Sequence, residues 1–241
     1  KNPFIITSRI TDKGYTFEQF TEVEVADFDD KQIKTFATKW FQPKQDMVKA
    51  ETFMERLNQD KNIRELSTSP ILLTLLCFVF EESGTFSSNR AELYKEGLDV
   101  LLSKWDMKRD IQRCQAYKQL SLKQKEDLLS QIAFNTFELG TYFFKKKSVE
   151  REINEYIRNS LGVNAEETVR QINSAAVLES IEEQHGLLVE QARGIYSFSH
   201  LTFHEYFTAR KLINSSKSNA FSTYLLPHLV EERWQEVFLL S

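Results

Sequence analysis

Residues 186–207, GLLVEQARGIYSFSHLTFHEYF, constrain the fold most strongly because their hydrophobic period changes midway. Apolar residues flank a turn at residues 192–194, a pattern that predicts a β-hairpin. After His200 the apolar positions follow a helical spacing instead, and they are Leu201, Phe203, Tyr206, Phe207, Leu212 and Ile213. The sequence therefore predicts a hairpin that leads directly into an aromatic-rich helix, with His200 at the junction.

The remainder of the chain predicts a mainly α fold. Only 7 of the 241 residues are Gly and 4 are Pro, whereas 19 are Phe, which favours long helices around real hydrophobic cores. Helical patterns cover residues 31–41, 51–58, 71–82, 90–108, 122–139, 149–159, 165–183 and 202–213, with a short extended segment at 142–146. Three helices followed by a two-stranded wing, between residues 122 and 198, are the winged-helix arrangement.

The sequences at the two ends of the chain predict that it is part of a larger protein. Residues 4–6, Phe-Ile-Ile, are typical of a buried parallel strand. Because a single parallel strand cannot form a sheet, we expect the chain to begin inside a truncated α/β domain. The polar residues 109–119 are the expected internal boundary, and the segment from about residue 221 reads as an incomplete helical unit.

Charge and cysteine usage exclude several classes of protein. The net charge of −4 provides no global basic field for nucleic acid or an anionic membrane. The two cysteines, Cys77 and Cys114, predict neither a disulfide framework nor a zinc site, and a reducing, cytoplasmic location fits them best. The apolar run at 71–80 has about half the length of a membrane-spanning helix, and no signal peptide is recognisable.

A winged helix raises the possibility of DNA binding through its third helix. A helix that faces phosphates must supply cations, because counterion release dominates the affinity. The third helix instead sets five carboxylates against the single base Arg170, namely Glu166, Glu167, Glu179, Glu182 and Glu183. We therefore expect protein–protein or intramolecular packing in preference to DNA binding.

His200 admits several interpretations. It is a structural histidine, a metal ligand with His204 four residues later, or a phosphate contact at a helix N-terminus, where free N–H groups attract anions. The metalloprotease pattern requires Glu directly after the first His, but Leu201 stands there and no third ligand is apparent. No nucleophile–base pair and no GxxxxGK[ST] phosphate loop occurs in the chain, so we expect no catalysis by this segment alone.

Taken together, the segments resemble the NACHT family of STAND NTPases, signalling ATPases related to NOD-like receptors. FIITSR resembles the family's sensor 1 strand, and ELSTSPILLTLLC resembles the helical-domain motif whose proline lies near adenine. RAELYKEGLDVLLSKWD is similar to the helix that leads into the winged helix. GLLVEQARGIYSFSHLTFHEYFTARKL resembles the end of the winged helix, and HLVEERWQEVFLLS resembles the start of the next helical domain.

The resemblance implies roles for three residues. Arg9 would be the sensor 1 arginine near the γ-phosphate of ATP, since its guanidinium stays charged and offers several donors. Pro70 would line the adenine pocket, and His200 would hydrogen-bond the β-phosphate of ADP, whose charge favours a protonated imidazole. The segments that form Walker A and Walker B are absent, and Thr68 stands where the family often has Gly two residues before the proline.

The resemblance also implies an organisation and a mechanism. Residues 1–26 would be the remnant of a nucleotide-binding domain, 27–108 a helical domain, 109–213 the winged helix and 214–241 the start of a second helical domain. ADP would hold the winged helix closed, and exchange for ATP would release it for homo-oligomerisation. The implied cofactors are ATP or ADP with Mg²⁺, and the implied role is innate-immune or antiviral signalling. The implied partners are the missing nucleotide-binding domain and other proteins, without DNA or membrane.

Two alternatives remain open at this point. The chain could be a helical and winged-helix protein-interaction module without a nucleotide role, or a DNA-binding regulator.

Overall fold

A computed structural model of the chain describes residue 21 and residues 26–42, 47–87, 89–108, 120–161, 174–215 and 226–241. Within these ranges the protein is mainly α with one small antiparallel sheet, a helical domain followed by a winged helix, which confirms the predicted fold class. The strand expected at residues 4–6, and with it the remnant of an α/β domain, lies outside the described residues. The connector expected at 109–119 also lies outside them.

Between residues 26 and 87, the described part of the chain forms four helices: α1 (Asp30–Phe41), α2 (Met47–Gln59), α3 (Lys61–Leu66) and α4 (Pro70–Ser83). A capping box starts α1, because the Asp29 carboxylate accepts from the Gln32 N–H at 2.7 Å and the Gln32 side chain accepts from the Asp29 N–H at 2.9 Å. The helix α2 begins four residues before the predicted start. The sequence analysis missed α3, a six-residue helix capped by Asp60.

The helix α5 (Arg90–Lys108) packs against α4 as a helical hairpin. Gly84 ends α4 in the left-handed conformation, with φ 71°. Midway along α5, Gly97 lies against Leu75 of α4 so closely that a Cβ atom built on the glycine would approach the Leu75 Cβ to 2.9 Å. This glycine therefore sets how closely the two helices approach each other.

In the described residues, the winged helix contains four helices and three strands: α6 (Leu122–Glu138), β1 (Phe144–Lys145), α7 (Lys146–Leu161), α8 (Ser174–His185), β2 (Leu188–Ala192), β3 (Ile195–Phe198) and α9 (Leu201–Ser215). The predicted hairpin is present as β2 and β3. The strand β1 pairs with β3, giving the order β1-β3-β2. The extended segment predicted at 142–146 is therefore shorter, and α7 begins at Lys146, three residues before the predicted start. The first half of the predicted third helix, with Glu166, Glu167 and Arg170, lies outside the described residues.

Two hydrophobic cores flank the α4–α5 hairpin. One face of α4 joins the core of the helical domain through Leu73, Leu76 and Phe80. Another face joins the core of the winged helix through Leu72 and Leu75. Cys77 is fully buried. The hairpin is thus a shared wall between the two cores.

His204 holds α9 against α6. The residue is 2% exposed, and its Nε2 lies 3.0 Å from the Ala133 carbonyl oxygen and 2.8 Å from the Thr136 hydroxyl. Because a carbonyl oxygen only accepts, Nε2 must carry the proton and donate. The ring also stacks on Phe198, with centroids 4.7 Å apart. His204 is therefore a structural histidine of the winged-helix core.

The chain ends on two short 3₁₀ helices, Leu226–His228 and Glu232–Trp234, and on α10 (Gln235–Leu239). We call residues 226–241 the C-terminal segment. Trp234 is 1% exposed and meets Phe137 of α6 edge-on, with centroids 5.1 Å apart. This segment is therefore packed onto the winged helix.

We predict that Gly97→Ala destabilises the protein by about 1–3 kcal/mol, because the added methyl overpacks the α4–α5 contact. Alanine is the better helix former by about 1 kcal/mol, so a helix-propensity effect alone has the opposite sign. The measurement is urea denaturation of both proteins. Lys95→Ala, at an exposed position of the same helix, is the control and should change the free energy of unfolding by less than about 0.5 kcal/mol.

We predict that His204→Ala lowers the free energy of unfolding by about 2–4 kcal/mol, since it empties a packed site and removes the link to Ala133. Thr136→Val, which removes only the hydroxyl, should lower it by about 1 kcal/mol. Thermal unfolding followed by circular dichroism measures both. Asn214→Ala, at an exposed position of α9, serves as the control, and equal effects of the His204 and Asn214 substitutions would contradict the assigned role.

Candidate functional site

A groove lies where the helical domain meets the winged helix. It has a volume of about 210 Å³. Its lining comes from α4, α5, α9 and the two ends of the hairpin: Ile71, Thr74, Leu75, Phe78, Leu101, Gly186, Ser199, His200 and Phe203. The walls are mainly apolar, and His200 is the titratable side chain among these residues. The groove is therefore an apolar cleft with one imidazole at its rim.

His200 is exposed, and backbone hydrogen bonds fix both the preceding residue and the carbonyl of His200 itself. The preceding Ser199 N–H donates to the Leu187 carbonyl at 2.9 Å, which ties this position to the start of the hairpin. The His200 carbonyl accepts from the N–H groups of Phe203 and His204 at 3.2 and 3.4 Å. His200 thus occupies the N-cap position of α9, where the first backbone N–H groups of a helix have no carbonyl partner within the helix.

His200 and His204 are four residues apart in the sequence but lie in different environments. His204 points into the core between α6 and α9, whereas His200 faces the groove. Within the described ranges, no three His, Cys, Asp or Glu side chains are grouped so as to hold a metal ion. The geometry therefore favours neither the His200–His204 pair nor another described cluster as a metal centre.

Pro70 is exposed at the first position of α4. Ser69 occupies the N-cap, but its side chain makes no capping hydrogen bond. Thr68, where the family often has Gly, lies in the turn before α4, and its carbonyl accepts from the Phe28 N–H at 2.8 Å. Pro70 itself is not among the residues that line the groove, but the next residue, Ile71, is. The structure thus brings His200 and the start of α4 to one groove, while Arg9 lies outside the described residues.

A second, larger groove of about 480 Å³ lies beside the same start of α4. Its polar lining consists of Asn62, Glu65, Thr68, Ser69 and Arg90. Sequence reasoning missed Arg90, which it treated only as the first residue of an amphipathic helix. No local pattern distinguishes this arginine, because its position depends on how α3, α4 and α5 pack together.

Sequence reasoning also missed Glu205, which directly follows His204. Burial, reinforced by the negative charge of Glu236, raises the pKa of Glu205 to about 7, although Arg90 opposes the shift. Glu236 belongs to α10, so the C-terminal segment contributes to this shift. A carboxyl group in this environment changes its charge near neutral pH.

The third helix of the winged helix is occupied by internal contacts. The helix α8 packs on α5, α7 and β2. The Glu182 carboxylate accepts from the Tyr196 hydroxyl at 3.0 Å and from the Glu190 N–H at 2.9 Å. These contacts agree with the expectation of intramolecular packing for the part of this helix that the structure describes.

The comparison with protein-family models gives one match over residues 90–212, to the family described as "Winged helix-turn-helix domain C-terminal to NACHT". The match begins at the first residue of α5 and ends within α9, so it contains the groove residues of both helices and His200. A search of curated protein sequences gives no significant match.

Among the described residues, no helix combines the length and apolar character that crossing a bilayer requires. The order of α6 to α9, the β1-β3-β2 sheet and the family match agree with one another. The chain therefore belongs to the family of winged-helix domains found C-terminal to NACHT domains.

Proposed function

We propose that the chain is the regulatory half of a NACHT ATP/ADP switch in the cytoplasm. In this proposal the winged helix closes on ADP, and His200 donates a hydrogen bond to the β-phosphate. The residues around Pro70 contact adenine, and Arg9 contacts the γ-phosphate of ATP. The nucleotide, with Mg²⁺, is held mainly by the nucleotide-binding domain of the complete protein, which is the principal partner.

The observation that carries the proposal is the position of His200 on a groove whose other wall is the start of α4. An exposed imidazole at a helix N-cap can approach an anion without rearrangement of the backbone. The apolar side chains of the same groove offer surface to a neighbouring domain or to a base. A phosphate donor and an apolar wall are thus side by side.

The mechanism requires that ADP and ATP make different contacts with this face. A ligand shifts a two-state equilibrium only by its difference in affinity for the two states. The His200 contact would exist in the closed ADP state and be lost after exchange for ATP. Release of the winged helix would then expose surfaces for homo-oligomerisation and signalling.

Hydrolysis is assigned to the complete protein and not to this chain. The 241 residues contain no GxxxxGK[ST] loop, the element that cradles phosphates in P-loop NTPases. The described chain would contribute the sensing and autoinhibitory contacts instead.

We predict that His200→Ala in the complete protein weakens ADP retention roughly ten- to a hundredfold, because it removes one charge-assisted hydrogen bond. Basal signalling should rise in parallel. Fluorescent-ADP dissociation measures the first effect and a reporter of oligomerisation the second. Arg193→Ala, at the exposed tip of the wing, is the matched control and should retain ADP as the unchanged protein does. ADP affinity unaltered by the His200 substitution would contradict the proposal and favour an interaction module without a nucleotide role.

We predict that the chain does not bind double-stranded DNA at moderate salt. The described part of the third helix, residues 174–185, contains Glu179, Glu182 and Glu183 and no Lys or Arg, so it repels phosphates. An electrophoretic mobility shift assay with a mixed-sequence duplex tests this expectation. A salt-sensitive shift at micromolar protein would instead support the DNA-binding regulator.

A further inference from the structure

A cluster of cations lies where β1 meets the tip of the hairpin. The Lys146 N–H donates to the Gly194 carbonyl at 2.8 Å, which places the start of α7 beside that tip. Arg193 is exposed at the tip, and Lys145 and Lys147 are exposed on either side of Lys146. These three exposed cations, which we call the wing patch, form no ion pair with another described residue.

The wing patch concentrates positive charge where a helix begins. Lys146 and Lys147 occupy the first two positions of α7, and its first turn contains no acidic residue. Cations are unfavourable at this end, because the N-terminus is the positive end of the helix dipole. The Glu179 carboxylate lies 3.9 Å from the Lys146 ammonium and offsets that one charge. An anionic group brought to the wing patch by a partner would therefore be favourable.

The opposite charge pattern lies on α5. Glu92, Glu96 and Asp99 follow one another at spacings of four and three residues, so they share one face of the helix. Glu92 is exposed, and the other two are half-buried. Burial, reinforced by the charges of Glu92 and Asp99, raises the pKa of Glu96, and Lys95 opposes the shift. We call these three carboxylates, which lie close enough to repel one another, the acidic stripe.

The two charged surfaces lie on different elements of the winged helix. The helix α8 packs against both α5 and α7, so it lies between the helix that carries the acidic stripe and the helix that follows β1. No ion pair joins the stripe to the wing patch among the described residues. Two copies of the chain can supply the missing neutralisation, if the stripe of one meets the wing patch of the next.

We propose that the wing patch binds the acidic stripe of a second copy of this chain, in a head-to-tail contact. Each copy in such a pair keeps one stripe and one patch free, so the contact can propagate into a ring or a filament. The contact supplies an interface for the homo-oligomer of the proposed function, and only this role rests on that proposal. Exposed charge pairs set orientation more than affinity, so the self-association is weak and salt-sensitive.

A nucleic acid fits the wing patch less well than a second copy does. Glu179 lies beside Lys146, and the Glu190 carboxylate accepts from the Gly194 N–H at 2.6 Å. Carboxylates of α8 and β2 therefore flank the cations, and a continuous strand of phosphates would meet both. The acidic stripe spans only two turns of a helix, so its charge is confined to a short length.

Sedimentation velocity of the unmodified 241-residue chain, without nucleotide, tests the contact. We expect concentration-dependent self-association at about 50 mM NaCl, with an association constant at least about tenfold lower at about 300 mM, because ions screen exposed charges. A chain that is monomeric at both salt concentrations, or one whose association is insensitive to salt, would overturn the proposal.

Charge-reversal variants identify the two faces. Lys145→Glu combined with Lys147→Glu should abolish self-association, and so should Glu92→Lys combined with Glu96→Lys. An equimolar mixture of the two double variants should associate again, because each then presents the opposite charge to the reversed face of the other. Circular dichroism checks that each variant is folded. Folded variants that associate alone as the unmodified chain does, or that fail to associate when mixed, would contradict the assigned faces.

Two controls separate this contact from other effects. Lys31→Glu combined with Lys34→Glu, at exposed positions of α1, changes the net charge by the same amount and should leave self-association unaltered. Loss of association in this control would show that net charge governs it and would overturn the proposal. His200→Ala should also associate as the unmodified chain does, so a failure of the nucleotide role and a failure of this contact give different results. The salt dependence of the unmodified chain decides the matter even if a variant fails to fold.

Discussion

The close contact between Leu75 of α4 and Gly97 of α5 is the constraint on which the rest of the structure depends. Both helices contribute to both hydrophobic cores, so their separation fixes how the helical domain meets the winged helix. The same hairpin supplies Ile71, Phe78 and Leu101 to the groove beside His200. The shape of the candidate site is therefore set by a glycine that faces away from solvent and has no chemistry of its own.

Local patterns predicted the elements whose signals are local. The period change around His200 identified the hairpin and α9, and the helical pattern over residues 71–82 identified α4, which begins at Pro70 and ends before Gly84. These features depend on backbone geometry and on which face of an element is buried. Both can be recognised from local residue types and from the spacing of apolar residues. The prediction was least accurate for short elements, such as the six residues of α3 and the two residues of β1, because so few positions do not establish a hydrophobic period.

The chemistry of the site depended on contacts that no local pattern encodes. His200 and His204 are the same residue type four positions apart, yet one is exposed and the other is enclosed by α6 and three aromatic rings. Arg90 became informative only because it forms an ion pair with Glu236, far along the chain. Glu205 became informative because burial in the folded structure raises its pKa. Such long-range charge clusters follow from tertiary packing, so a single sequence could not reveal them.

The energy that a switch requires limits what His200 can do in the proposed mechanism. Moving an equilibrium from 1:99 to 99:1 takes about 5.5 kcal/mol of differential binding. One hydrogen bond to a charged group contributes about 1.5–3 kcal/mol. The remaining ~3 kcal/mol corresponds to roughly 120 Å² of apolar surface covered in only one state, at about 25 cal/mol per Å². Ile71 and Phe78 in the groove are half-buried, so the groove walls can supply this area when another domain covers them. In the proposed switch the histidine therefore senses the phosphate, and the apolar groove provides much of the closing energy.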